Sequence, residues 1–174
     1  MPGRGPQQNC GGSVKSYEFV TVWRVAAPIE TVFNEIYHSE EWPGWWKGVE
    51  RVDEIQKGDD NGVGSVRRYT WKSKLPYRLT FDMKTVRVES PTLLEGIASG
   101  ELDGHGLWRL TTDGSETVAR YDWQVHTTKA WMNLLAPIAR AAFNWNHDVI
   151  MGWGAEGLSR RLGVAVVDLP HEAP

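Results

Sequence analysis

The most chemically suggestive run in the chain is Asn146-His147-Asp148. A histidine beside a carboxylate is the raw material of general acid–base catalysis, provided the two meet each other and a substrate within hydrogen-bond reach. Neighbours on an α-helix point about 100° apart, so adjacency alone makes no dyad of His147 and Asp148. The helical stripe derived below sets His147 almost opposite the inward face, which favours a capping or surface-packing role. His105, in the turn Glu101-Leu102-Asp103-Gly104-His105-Gly106, and His126, on the outward phase of a strand, read as solvated. Tyr69 and Tyr121 are candidate donors to a ligand carbonyl, as a cyclase or dehydratase would require. An unperturbed tyrosine titrates near ~10, so it donates more readily than it accepts a proton. Ordinary structural partners are the preferred reading for both.

Other chemistries lack their residues. There is no His-x-His or His-Glu-x-x-His spacing and a single cysteine, Cys10, so no metal site and no internal disulfide are expected. No serine sits in a Gly-x-Ser-x-Gly elbow, and Gly62-Val63-Gly64-Ser65 lacks the lysine and helix of a phosphate loop. No catalytic residue is assigned and no cofactor is expected. Arg67, Arg68, Arg78, Lys84 and Arg87 form a basic strand region, read as a solvated outer face with an anionic head group as the alternative.

The chain has 174 residues and a net charge of −3, which fits one domain and argues against a nucleic-acid binder. No apolar run reaches the ~18 residues of a membrane span. The start shows no secretory h-region, so a cytoplasmic protein is the default expectation. Ten tryptophans against five tyrosines and four phenylalanines stand out. Each covers ~150–250 Å², and they serve to pack, to line a cavity or to form an interface. An interface needs several of them exposed as one patch.

Residues 1–15 are rich in Gly, Pro and Gln and read as a disordered tail; 16–165 form one domain; 166–174 read as a C-terminal tail. Seven strands are expected at 17–25, 49–56, 63–73, 77–89, 92–100, 104–112 and 116–127, split by turn chemistry such as Asp59-Asp60-Asn61-Gly62, Ser90-Pro91 and Asp113-Gly114. Short separators imply antiparallel pairing. Pro28 opens a helix with an Ile29, Val32, Phe33, Ile36 stripe, and Trp42-Pro43-Gly44-Trp45-Trp46 reads as a second short helix or turn. Residues 131–162 read as a long helix that Pro137 starts, kinks or divides.

Strand alternation points Ala119, Tyr121, Trp123 and Val125 inward, with Trp108, Leu110, Leu79, Phe81, Met83, Tyr69 and Trp71. The first strand has aromatics on one phase and valines on the other and cannot be phased. On the long helix, Trp131, Leu135, Ile138, Ala142, Trp145, Val149 and Trp153 share a stripe, with Asn146 at its edge. Gly152, Gly154 and Gly157 in one helix imply close approach by sheet or ligand.

Three stretches resemble the START/SRPBCC superfamily, within it the polyketide cyclase/dehydrase and lipid transport group: residues 20–33, with Val25-Ala26-Ala27-Pro28; Trp42-Pro43-Gly44-Trp45-Trp46; and 143–151 with Gly154-Ala155-Glu156-Gly157-Leu158. The likeness spans residues 17–163. It implies an α+β helix-grip fold, a curved seven-stranded antiparallel sheet around a long C-terminal helix, with an internal cavity for a lipid, polyketide or other hydrophobic molecule. The expected lining is Trp45, Tyr69, Trp71, Phe81, Met83, Trp108, Tyr121, Trp123, Asn146 and Val149. Binding is the favoured function, because no inward carboxylate can be placed; a polyketide cyclase or dehydratase in the same cavity is the alternative. A small hydrophobic ligand is the expected partner, with neither nucleic acid nor an integral membrane segment.

Overall fold

The computed structural model describes residues 17–72, 74, 77–128 and 136–169. Strand β1 (Tyr17–Val25) leads into α1 (Ile29–Tyr37) and a 3-10 helix (Ser39–Gly44). Six strands follow: β2 (Val49–Gln56), β3 (Val66–Lys72), β4 (Arg78–Glu89), β5 (Leu93–Gly100), β6 (Leu102–Asp113) and β7 (Glu116–Thr127). The long helix α2 (Ala136–Leu162) and a last strand β8 (Val166–Leu169) complete the chain. The strands form one antiparallel sheet in the order β2-β3-β4-β5-β6-β7-β1-β8. Register shifts between β2 and β3 and between β4 and β5 are bulges of the kind that bend a sheet.

The helix-grip arrangement therefore has eight strands, not seven. Residues 166–169, expected in a tail, pair with β1 from Val22↔Leu169 to Val25↔Val166. The reason is local. Gly163 turns the chain at a positive φ of 67°, and the Ala26 amide donates to the Ala165 carbonyl at 3.0 Å, which lays the following residues along the open edge of β1. The tail expected at 1–15, Cys10, Trp131 and Leu135 lie outside the described residues.

Pro28 stands at the N-cap of α1, whose buried residues are Ile29, Val32, Phe33 and Ile36, the stripe read from the sequence. In β3, β4, β6 and β7 the inward phases are those the alternation predicts; Tyr69, Phe81, Trp108, Leu110, Ala119, Trp123 and Val125 are buried. β1 turns its odd residues inward: Tyr17, Thr21, Trp23 and Val25 are buried and Phe19 packs against them. Among the outward residues, Arg68 holds Asp82 at 2.7 Å and Arg120 holds Asp122 at 2.8 Å.

The phase of α2 differs from the expected one. Trp145 is 48% exposed, with the Lys74 ammonium 5.8 Å from its ring centre, and Trp153 carries Lys47 at 4.6 Å. The inward face instead runs through Phe143, His147, Ile150, Met151, Gly154, Ala155 and Leu158. The cause is the seat beneath the helix. A Cβ on Gly154 would fall 2.5 Å from Cε2 of Trp46, and one on Gly157 would overlap the Trp45 carbonyl. The helix thus rests its smallest residues on the Trp42-Trp45-Trp46 cluster and turns Trp145 away. The Trp46 indole N–H donates to the Ile150 carbonyl at 2.8 Å through the gap that Gly154 leaves. At its far end Arg161 ties α2 to Glu35, at 3.2 Å, and to Glu41. Pro137 is the second residue of α2, within the first turn, where its missing N–H costs no helical bond. Among the described residues no helix is long and apolar enough to cross a membrane.

Candidate functional site: an aromatic chamber under the long helix

Between the sheet and α2 lies a chamber of about 150 Å³. The strands supply its floor: Tyr17 and Phe19 from β1, Trp71 from β3, Leu79 and Phe81 from β4, Trp108 from β6, and Tyr121 and Trp123 from β7. Trp42 and Trp46 close one side, and α2 roofs it with Phe143, Asn146, His147, Ile150 and Met151. The rings hold one another in place. Trp108 stacks on Tyr121 with centroids 4.4 Å apart, Trp46 meets Trp71 edge to face at 5.4 Å, and Trp23 touches both Trp46 and Trp108 at 5.3 Å. A wall built this way resists collapse, because no ring can move without displacing another.

A second hollow of about 80 Å³ adjoins the first. It shares Trp42, Trp71, Phe81, Trp108 and Tyr121 with the chamber and adds Ser39, Arg67, Tyr69 and Met83. Here the polar groups are satisfied. The Tyr69 hydroxyl and Ser39 Oγ lie 2.7 Å apart, and Arg67 donates to the Tyr37 carbonyl at 2.9 Å and to Ser39 Oγ at 3.2 Å while pairing with Glu40 at 3.3 Å. Arg67 is therefore not on the solvated outer face expected for the basic region. It shares the inward phase of Tyr69 and Trp71. Glu95 also borders this hollow, and its carboxylate is engaged by His105 Nε2 at 2.6 Å.

Three residues of the main chamber's wall carry a buried polar atom with no hydrogen-bond partner, Nε1 of Trp71 (which borders both spaces), Oδ1 of Asn146 and Nε2 of His147, each atom without accessible surface. His147 is the largest departure from the sequence reading. Its side chain is only 13% exposed and stacks on Phe19 at 4.3 Å and 12°. Asp148, 62% exposed, stands 3.7 Å from His147 Nδ1, beyond a hydrogen bond.

Of the ten expected lining residues, Trp71, Phe81, Trp108, Tyr121, Trp123 and Asn146 border the main chamber, and Tyr69 and Met83 border the second hollow. Trp45 and Val149 border neither. Trp45 is buried beneath Gly157 and stacks on Trp46, so it belongs to the seat of the helix. Val149 falls on the Trp145 side of α2, turned from the chamber by the phase described above. Among the chamber residues the sequence reading missed are His147, Phe19, Tyr17, Trp46 and Phe143. The signal for the α2 members was the small-residue stripe Gly154 and Gly157, which marks the inward face.

The tyrosines are held neutral. Burial raises Tyr121 far above the ordinary phenol value and the nearby Tyr69 adds to the effect. Burial likewise raises Tyr69, against the opposing bond from Ser39. Tyr77, another chamber residue, is pushed up to about 12 by burial. All three stay protonated at neutral pH. No cluster of three or more metal-ligating side chains occurs among the described residues.

No family model matches the chain, and no curated protein matches it. Solved structures do. The aromatase/cyclase Zhui from Streptomyces sp. R1128 superposes with a TM-score of 0.65 at 17% identity, over 86% of this chain and 93% of that one. A START superfamily protein from Mycobacterium smegmatis gives 0.58 at 15%, over 76% and 96%. The di-domain ARO/CYC BexL from the BE-7585A biosynthetic pathway gives 0.63 at 17%, over 82% of this chain and 50% of that one, so the chain spans half of BexL. Likeness at these identities carries architecture and not chemistry. The architecture these structures share with the chain is the helix-grip fold, an antiparallel sheet around a long C-terminal helix.

Proposed function

We propose that the chain binds a small hydrophobic ligand, aromatic or polycyclic, in the chamber between the sheet and α2. The observation that carries this is an apolar, ring-walled space of about 150 Å³ bordered by a few polar side chains, among them Asn146, His147 and Tyr121. A void of this size accepts a benzene-sized ring. An apolar wall with a few convergent polar groups is the ordinary make-up of a small-molecule site. Native mass spectrometry of freshly purified protein, followed by titration of a panel of hydrophobic molecules against tryptophan fluorescence, tests the reading. A co-purifying molecule or saturable quenching is expected; a panel in which nothing binds overturns it.

The second reading is a cyclase or dehydratase working in the same chamber. His147, a titratable group on the chamber wall, favours it, as does the kinship of fold with proteins named aromatase/cyclases. Binding is preferred because the carboxylate beside His147, that of Asp148, is solvated and out of hydrogen-bond reach, and burial keeps the chamber tyrosine Tyr121 protonated. His147→Gln separates the two: an enzyme loses turnover of a linear poly-β-keto substrate and keeps its affinity, whereas a carrier shows no turnover to lose.

A further inference from the structure

The outer flank of α2 carries a feature that the chamber does not use. Trp145 is 48% exposed, the largest apolar side chain left in solvent among the described residues. Val149 and Trp153, both half-buried, follow it at four-residue intervals and share its flank. A single exposed ring carries no information. The charge gathered around this one does. The turn before β2 and the end of β3 are bonded side by side, the Lys72 amide donating to the Gly48 carbonyl at 2.8 Å. A Cβ on Gly48 would sit 3.6 Å from Ile150 Cγ2, so this corner abuts α2. It presents Lys47, Lys72 and Lys74, all exposed. Lys47 Nζ lies 4.6 Å from the Trp153 ring centre and Lys74 Nζ 5.8 Å from that of Trp145. Among the described residues no carboxylate forms an ion pair with Lys47 or Lys74; Glu50, beside this corner, is held by Arg78 at 2.5 Å. Asp148, three residues beyond Trp145, lies on the other side of that ring from Val149.

Lysines flanking an exposed indole complement a surface that is anionic outside and apolar just beneath. Indoles settle where the headgroups of a bilayer meet its hydrocarbon. Lysine stems lie along apolar groups while the ammonium reaches a phosphate. A mobile point charge suits phosphates that are not fixed in place, whereas a fixed carboxylate pattern on a protein is met by the planar fork of arginine. We infer that the Trp145 flank of α2, with Lys47, Lys72 and Lys74, docks on an anionic lipid bilayer. Docking seats on the membrane the same helix whose opposite face roofs the chamber. It goes beyond the binding reading and stands whether or not the chamber takes a ligand.

Flotation of the full chain with extruded vesicles tests this, using phosphatidylcholine alone and an equal mixture with phosphatidylglycerol. The chain should float with the mixed vesicles at low salt, stay behind with the neutral ones, and be released as salt is raised. Replacing both Lys47→Gln and Lys74→Gln should weaken binding about thirtyfold. Trp145→Ala should weaken it about tenfold or more, with the fold verified by circular dichroism and a melting curve. Lys57→Gln with Lys84→Gln removes the same charge from exposed positions away from the flank and should leave binding within about threefold of the wild type. Failure to float with the mixed vesicles overturns the inference, as does equal flotation with neutral ones. So does an equal loss in the control pair, or undiminished binding in either folded flank variant. If one flank variant does not fold, the other decides. None of these outcomes bears on ligand titration of the chamber, so the two readings fail separately.

Discussion

Two glycines two positions apart in α2 give opposite predictions. At Gly154 an added methyl lands 2.5 Å from the Trp46 indole, a buried ring whose N–H is bonded to the Ile150 carbonyl at 2.8 Å. Gly154→Ala must push that ring aside. Overpacking of this kind costs ~1–3 kcal/mol. An indole N–H torn from its carbonyl and left buried adds ~1–3 kcal/mol. The gain in helix propensity returns only ~1 kcal/mol. The net loss is therefore roughly 3 kcal/mol, or about 6–12 °C in melting temperature for a chain of this size. At Gly152 nothing lies within 4 Å of an added Cβ. Gly152→Ala collects only the propensity term and should raise the melting temperature by about 2–4 °C. Urea unfolding monitored by tryptophan fluorescence, with calorimetry alongside, measures both. Equal stabilities for the two variants, or a stabilised Gly154→Ala, would refute the seating of α2 on the Trp42-Trp45-Trp46 segment and with it the inward phase of His147.

Further predictions follow from neighbouring features. Trp145→Ala should change stability by less than ~1 kcal/mol, since the ring is largely solvated and its contact with Lys74 is a surface cation–π pair; a loss of several kcal/mol in urea unfolding would restore the inward stripe. Deleting residues 166–174 uncovers the edge of β1 now paired with β8, and light scattering should show self-association absent in the full chain; an unchanged mass would mean the edge needs no cover. Tyr69 and Tyr121 have folded values raised by burial, so their contribution to stability is complete below the unfolded phenol value of ~10 and is lost as pH climbs from there toward the folded values. Phenolate absorbance should accordingly develop in stages, with Tyr77 ionising at about 12; one transition of all five tyrosines near 10 would show an open interior.

Much of the architecture was written in local patterns. The stripe Ile29, Val32, Phe33, Ile36 needs no partner to be recognised, and alternation assigned the inward residues of β3, β4, β6 and β7. The same alternation put Arg67 on the phase of Tyr69 and Trp71. Only the habit of sending arginine outward hid it, and Ser39, Glu40 and the Tyr37 carbonyl explain its tolerance indoors. The phase of α2 was another matter. Weighting a helix by its large apolar residues assumes a flat apolar partner, but here the partner is itself a ridge of indoles, and the complementary face is the one bearing least side chain. That relation joins residues 42–46 to residues 150–157 and cannot be seen in either stretch alone. β8 was missed for a similar reason: four residues of modest strand character become a strand only because β1 has an edge to offer.

Trp46 borders the chamber with one part of its ring and supports Gly154 with another. Resizing the space from that side would unseat the roof, whereas the rings of β4, β6 and β7 reach Trp46 through others, as Trp108 does through Trp23. Divergence toward bulkier or slimmer guests should accordingly accumulate on the strands, leaving the Trp-Gly contact as the fixed point around which specificity drifts.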